Sequence, residues 1–176
     1  MAAYDIRTVI DRGELASLRS EWNRVVEQDS SATLFQRWEW NDAWWEWMGR
    51  HTSRLCILVV AEALGREPIG IAPFCITERR SPFGKIRVLE LLGGRYLDYQ
   101  NVIVGDEHKE GVIDLIAGWL TRREVKWDVA DFRHIILDSP PEGCLLRALQ
   151  GIPFPVEIRQ DVKSPYLSLH PGRPLL

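Results

Sequence analysis

Little in the sequence ties the chain to a membrane, a nucleic acid or a metal. Its longest apolar run, Leu55 to Ala61, is far shorter than the roughly 18 residues needed to suggest a bilayer span. The start, MAAYDIRTVIDR, has neither the basic head nor the apolar stretch of a secretory signal. No membrane span and a cytoplasmic location are therefore expected. The formal net charge is −3, so no bulk field favours nucleic acid. Only Cys56, Cys75 and Cys144 carry thiols, and their spacing makes neither a zinc site nor a disulfide framework. His51, His108, His134 and His170 are scattered without paired spacing, so no metal site is expected. His134 lies in a strand pattern and reads as a core or edge histidine. There is no Gly-x-Gly-x-x-Gly, and SPFGKI lacks the upstream glycine of a P-loop. A Gly-x-Ser-x-Gly elbow and a His-Glu-x-x-His pair are also missing, as are internal repeats and low-complexity tracts.

What is present is a globular composition: 45% hydrophobic and 27% charged over 176 residues. That length suits one domain, 1–176, with a real core. Tyr4 to Ile10 alternates like a strand, and RGELASLRSEWNRVVEQ places Leu15, Leu18, Trp22, Val25 and Val26 at helical spacing. RLCILVVAEALGREPIGIAPFCITER reads as two strands around a turn at Gly65, apolar on both faces, so helices must cover both. A turn at Gly65-Arg66 would set Cys56 opposite Cys75, as two small side chains packed on a sheet. IRVLELLGG is a third strand, continued by LDYQNVIVG after a glycine bend that breaks the ladder. DEHKEGVIDLIAGWLTRR is a helix with acidic residues in its first turn and arginines in its last. FRHIILDS, PPEGCLLRALQG and PVEIRQDV read as strand, helix and strand, before a proline-marked end. The expected fold class is α/β, a mixed sheet with helices on both faces.

Five of the eight tryptophans fall within ten positions, in WEWNDAWWEW. On a regular helical wheel, Trp38, Trp45 and Met48 share one side, and Trp40, Ala43, Trp44 and Trp47 another. Glu39, Asp42, Glu46 and Arg50 form a narrow polar stripe. Most of these indoles are assigned to packing, with Trp38 and Trp45 against the sheet or first helix. The second flank is left to line a cleft or meet a partner.

Two stretches are candidates for chemistry. GGRYLDYQN sets Tyr96, Asp98, Tyr99, Gln100 and Asn101 after a glycine pair, which suits either a ligand-lined cleft or an irregular loop at the sheet edge. ERRSPFGKIR gathers Arg79, Arg80, Lys85 and Arg87 at a hairpin tip, a solvated tip or a site for an anion.

FQRWEWNDAWW, PIGIAPF, LELLGG, DYQNVIV and SPYLSL occur in one order from about Leu15 to Leu169. Together they resemble the N-terminal half of the cellulose-biosynthesis-type (CelD-like) acetyltransferases of the GNAT superfamily. The resemblance implies a GNAT-like sheet, polysaccharide-related acyl transfer from acetyl-CoA, and a second GNAT-like unit that holds the acetyl-CoA, with residues 164–176 as a linker toward it. It also implies an acceptor site, for a small molecule or saccharide, on this unit. Asp98 is then the nominated catalytic carboxylate, with Tyr96, Tyr99, Asn101, Trp40 and Trp44 as acceptor contacts. The family pattern often carries a further acidic residue near Asn101, whose amide cannot act as a base. Asp106, Glu107 and Glu110 would repel a pyrophosphate at the helix start where such units cradle it, so no cofactor-binding residues are expected here. Apolar surface left without the second unit predicts a homodimer or poor solubility. The competing expectation is a non-catalytic carbohydrate-binding or protein-interaction module built on the tryptophan helix, 36–50.

Overall fold

The computed structural model describes residues 4–65, 67–82, 84–135, 149 and 152–159. The elements are β1 (Tyr4–Val9), α1 (Arg12–Ser17), α2 (Arg19–Gln28), a 3₁₀ turn (Leu34–Gln36), α3 (Trp38–Trp44), a π turn (Trp45–Gly49), α4 (Arg50–Thr52), β2 (Ser53–Leu55), β3 (Ile57–Glu62), β4 (Pro68–Ala72), β5 (Phe74–Ser81), β6 (Gly84–Leu91), β7 (Ile103–Val104), α5 (Lys109–Arg122) and β8 (Val129–Ala130).

Two four-stranded sheets form, β1-β3-β4-β7 and β2-β5-β6-β8. Every pairing is antiparallel except β6 with β8. The two sheets are halves of one folded surface. Pro73 has no N–H, so the ladder breaks between β4 and β5, yet Cys56 N–H donates to Phe74 O (3.1 Å) and Leu92 N–H to Pro73 O (2.6 Å) across the crease. Side-chain alternation also runs through it. Leu55, Ile57 and Val59 belong to one core, and Cys56, Leu58 and Val60 to the other.

Each core is closed by helices. α5 covers one face with Val112, Ile113, Ile116, Trp119 and Leu120. α1, α2 and α3 cover the opposite face with Leu15, Leu18, Trp22, Val25, Trp38 and Trp45. Gly70 lets α5 sit close, since a Cβ there would lie 2.5 Å from Val112 Cγ1. The expected mixed α/β architecture with helices on both faces is what the chain adopts.

Several details depart from the sequence reading. Leu55, not Cys56, opposes Cys75. The hairpin turns one residue earlier than Gly65-Arg66 requires, and a one-residue slip exchanges faces, so the two thiols lie in different cores. Both are buried and free, and burial pushes both up to about 12. The tryptophan segment is not one regular helix. Its π turn adds a residue to the turn, and this rotates Met48 to the surface, away from Trp38 and Trp45.

The polar stripe is only partly open to water. Arg12 pairs with Asp42 (2.8 Å) and Glu46, Arg19 with Glu39 (3.0 Å), and Arg50 with Glu46 (2.9 Å). It is the seam to α1 and α2. Asn23 Nδ2 donates to Glu39, and with Arg19 it holds that carboxyl below its usual value. Burial raises Asp42 despite Arg12.

The strand expected over FRHIILDS is displaced. β8 ends at Ala130 and residues 132–135 form no strand. Residues 155–159, the described start of the expected PVEIRQDV strand, are also irregular. The PPEGCLLRALQG helix, Cys144, the SPYLSL motif and the 164–176 linker lie outside the described residues, apart from Leu149, which is helical. Among the described residues no helix is long and apolar enough to cross a membrane.

Candidate functional site

Between β6 and β7 the chain leaves the sheet over residues 92–102 and returns to pair with β4. Gly93 starts this excursion in the left-handed region (φ 99°), where a Cβ would strike Leu97 and Gln100. Gln100 is buried beneath it and donates from Nε2 to Leu92 O (3.1 Å). Gln36, also buried, accepts from Thr33 N–H (2.6 Å) and donates to Tyr99 O (2.6 Å). The loop is thereby tied to the turn before α3. Trp22 anchors that turn in the core, its indole N–H donating to Gln36 O (2.7 Å).

These tethers build an aromatic wall. The Phe35 ring lies 6.1 Å from Tyr99 and 5.5 Å from Trp40, both tilted. Tyr99 and Trp40 are 40% and 44% exposed, so the wall keeps an open face. Beside it, Asp98 Oδ1 lies 3.1 Å from His134 Nδ1. His134 reaches this place because the chain turns out of the sheet after Asp131. Asp131 N–H bonds Leu89 O (2.9 Å), and its carboxylate meets Arg79 (3.4 Å) and Arg133 (2.7 Å). Arg79 also pairs with the buried Glu90. The strand end is therefore fixed by ion pairs, and His134 follows it in the left-handed region (φ 56°).

The structure brings Tyr99, Asp98 and Trp40 to one corner. Tyr96 is exposed on the same loop, under the Arg95 guanidinium (5.7 Å). Asn101 Oδ1 accepts from Val102 N–H (2.9 Å). Trp44 is elsewhere. It packs against the α1–α3 core and over Gly49, and among the described residues no ring contact joins it to the wall.

Sequence reasoning missed Phe35, Gln36 and His134. Phe35 and Gln36 lie more than sixty positions from the loop they hold, and His134 stood inside an apparent strand. At the basic hairpin three of the four cations are engaged, and Arg80 is exposed. Arg87 is bidentate to Asp128 (3.0 and 2.7 Å), Lys85 meets Glu78 (3.4 Å), and Arg79 is committed to Glu90 and Asp131.

The start of α5 is the place where the resemblance would put a CoA pyrophosphate, and its residues do not fit one. Lys109 is turned to Asp29 (3.3 Å) and Asp106, and Ser30 N–H bonds Asp106 (3.2 Å). Glu107 and Glu110 are exposed there. Tyr4 covers Gly111, whose added Cβ would strike its ring. A dianion would meet three carboxylates and no spare cation among the described residues at this terminus.

No family model and no curated protein matches the chain. Among solved structures it is similar to a possible acetyltransferase from Clostridium difficile 630, at 9% identity and TM-score 0.47, covering 92% of this chain and 99% of that one. A probable acetyltransferase matches at 14% identity and TM-score 0.49, covering 93% and 99%. The spermidine N-acetyltransferase from Vibrio cholerae, in complex with CoA and spermine, matches at 13% and TM-score 0.34, covering 68% and 64%.

Proposed function

We propose that the chain is a GNAT-like unit forming the acceptor-side wall of an acetyl-CoA-dependent N- or O-acetyltransferase linked to polysaccharide or cell-envelope metabolism, and that it is not competent alone. The observation that carries this reading is the corner itself, where a carboxylate, Asp98, stands beside an open aromatic wall on a loop anchored by buried amides. The order of elements, with β1 and helices α1 to α4 before an antiparallel set and a parallel β6–β8 pair around α5, accords with it.

An acceptor amine or hydroxyl needs a fixed position and a group to take its proton. Tyr99 and Trp40 offer the apolar face of a ring a surface, with Tyr96 at the loop tip. Asp98 supplies the nearby carboxylate. Asn101 remains a nominated acceptor contact through its amide N–H groups, whereas Trp44, packed against the α1–α3 core with its indole N–H buried, stands away from this corner. The acetyl donor belongs to a second GNAT-like unit or a second copy of this chain.

The test is thiol release from acetyl-CoA over a panel of amines and amino sugars, with the chain alone and mixed with candidate second units. Turnover only in a mixture supports the proposal. Turnover by the chain alone removes the claim that it lacks a donor site, and silence in every mixture removes the acyltransferase reading. A second reading, an interaction module, is favoured by Trp47, which is 83% exposed at the end of the tryptophan segment. Only Trp40 and Trp47 of its five indoles are largely open, so a broad stacking platform is not formed.

A further inference from the structure

We infer that His134, oriented by Asp98, is the group in this corner that receives the N–H or O–H of a bound amine- or hydroxyl-bearing ring. The inference rests on the acceptor-wall reading and names the residue through which the wall engages its ligand. His134 Nδ1 lies 3.1 Å from Leu97 O and 3.1 Å from Asp98 Oδ1. Both are acceptors, so Nδ1 carries the proton in the neutral ring. The lone pair is then on Nε2, which has no hydrogen-bond partner among the described residues. A histidine whose Nδ1–H is held by a carboxylate is fixed in both tautomer and ring orientation.

Backbone strain marks the same place. Tyr99 (φ 54°) and His134 (φ 56°) are both left-handed. The amide following Tyr99, Gln100 N–H, bonds His134 O (3.2 Å), which joins the two strained residues directly. Histidine is enriched in that region, but a tyrosine is uncommon there. Such a conformation persists only where surrounding contacts impose it. Here Gln36 holds Tyr99 O while Leu97 and Asp98 hold the imidazole. The outcome is a proton acceptor next to an open aromatic face, with the side chain 35% exposed. An amino sugar matches both, since its ring face is apolar and its rim carries N–H and O–H groups.

The experiment is long-range 15N–1H NMR of the histidine rings in the full chain at about pH 9, well above the roughly 6.5 of a free imidazole, followed by titration with glucosamine. The expected spectrum shows His134 protonated at Nδ1 and bare at Nε2, with glucosamine moving the Nε2 resonance. His134→Asn tolerates the left-handed backbone but cannot place a nitrogen at the Nε2 position, so it is expected to weaken glucosamine about tenfold with the amide spectrum otherwise retained. Trp40→Ala is expected to weaken glucosamine while leaving the tautomer unchanged. A His134 protonated at Nε2 overturns the inference alone. Weakening by Trp40→Ala but not by His134→Asn also overturns it and leaves the acceptor wall standing. The expected tautomer with no glucosamine binding in any form overturns the acceptor-wall reading, and the inference with it.

Discussion

Two corners of the molecule are open to comparison: the start of α5 and the excursion between β6 and β7. Both lie where a strand leaves the sheet, and both gather charged and aromatic side chains. At the α5 start the charges are spent on each other. Lys109 joins Asp29 to Asp106, Ser30 caps Asp106, and Tyr4 fills the space above Gly111. At the excursion, buried amides hold the backbone while aromatic faces stay partly exposed and, among the described residues, one imidazole nitrogen has no hydrogen-bond partner. Where side chains satisfy one another the structure closes a site, and where buried groups hold exposed ones in strained positions it keeps a site open.

The comparison is broken most severely by removing what supports the open corner from below. Trp22 is fully buried and donates to Gln36 O. Trp22→Ala is expected to cost about 3–5 kcal/mol, read as a lower urea midpoint, and to release the Gln36–Tyr99 tether. Gly93→Ala attacks the loop directly, through a left-handed φ and overlap with Leu97 and Gln100. About 2–3 kcal/mol is expected, with loss of the NMR signature of the Phe35–Tyr99 contact.

At the closed corner, Lys109→Met leaves the nearly buried Asp29 without its cation. Asp29 keeps bonds from Ser31 and Val104 N–H, so about 1–2 kcal/mol is expected by the same denaturation measurement. The pH dependence follows from the shifts. Burial lowers the Lys109 ammonium, but Asp106 and Asp29 outweigh it and raise it above 10.5. Its contribution is full below 10.5 and is lost as pH rises through the raised value. Lys109 and Ser30 lower Asp106 below 3.8, so its contribution is present above 3.8 and is lost as pH falls through the lowered value. The stability difference between wild type and Lys109→Met should therefore be flat across neutral pH and shrink at both extremes. The smallest effect belongs to Trp47→Ala, within about 0.5 kcal/mol in stability. This variant should nevertheless remove most of the indole emission that acrylamide can quench.

Most of the scaffold was legible in the sequence because periodicity records burial. The runs that form β3, β4 and the start of β5 were apolar on both faces, IRVLELLGG marked β6, and the helices at 12–28 and 109–122 had ordinary 3.6-residue stripes. The wheel placed Trp38 and Trp45 in the core correctly but misplaced Met48, because the π turn over Trp45–Gly49 interrupts the regular period. The site was half legible. Asp98, Tyr99 and Trp40 belong to polar-aromatic clusters that stand out locally. His134, Phe35 and Gln36 enter only through contacts between distant segments. The apparent strand FRHIILDS concealed His134 because its apolar run continues past the point where the backbone turns left-handed.

The most direct test of the account is a backbone NMR titration of the chain with acetyl-CoA. The account predicts that the amides of Gly105, Asp106, Lys109, Glu110 and Gly111 do not move, because their corner is filled by Asp29, Tyr4 and paired carboxylates. Saturable shifts at those amides would contradict it and would make this chain the donor-binding unit.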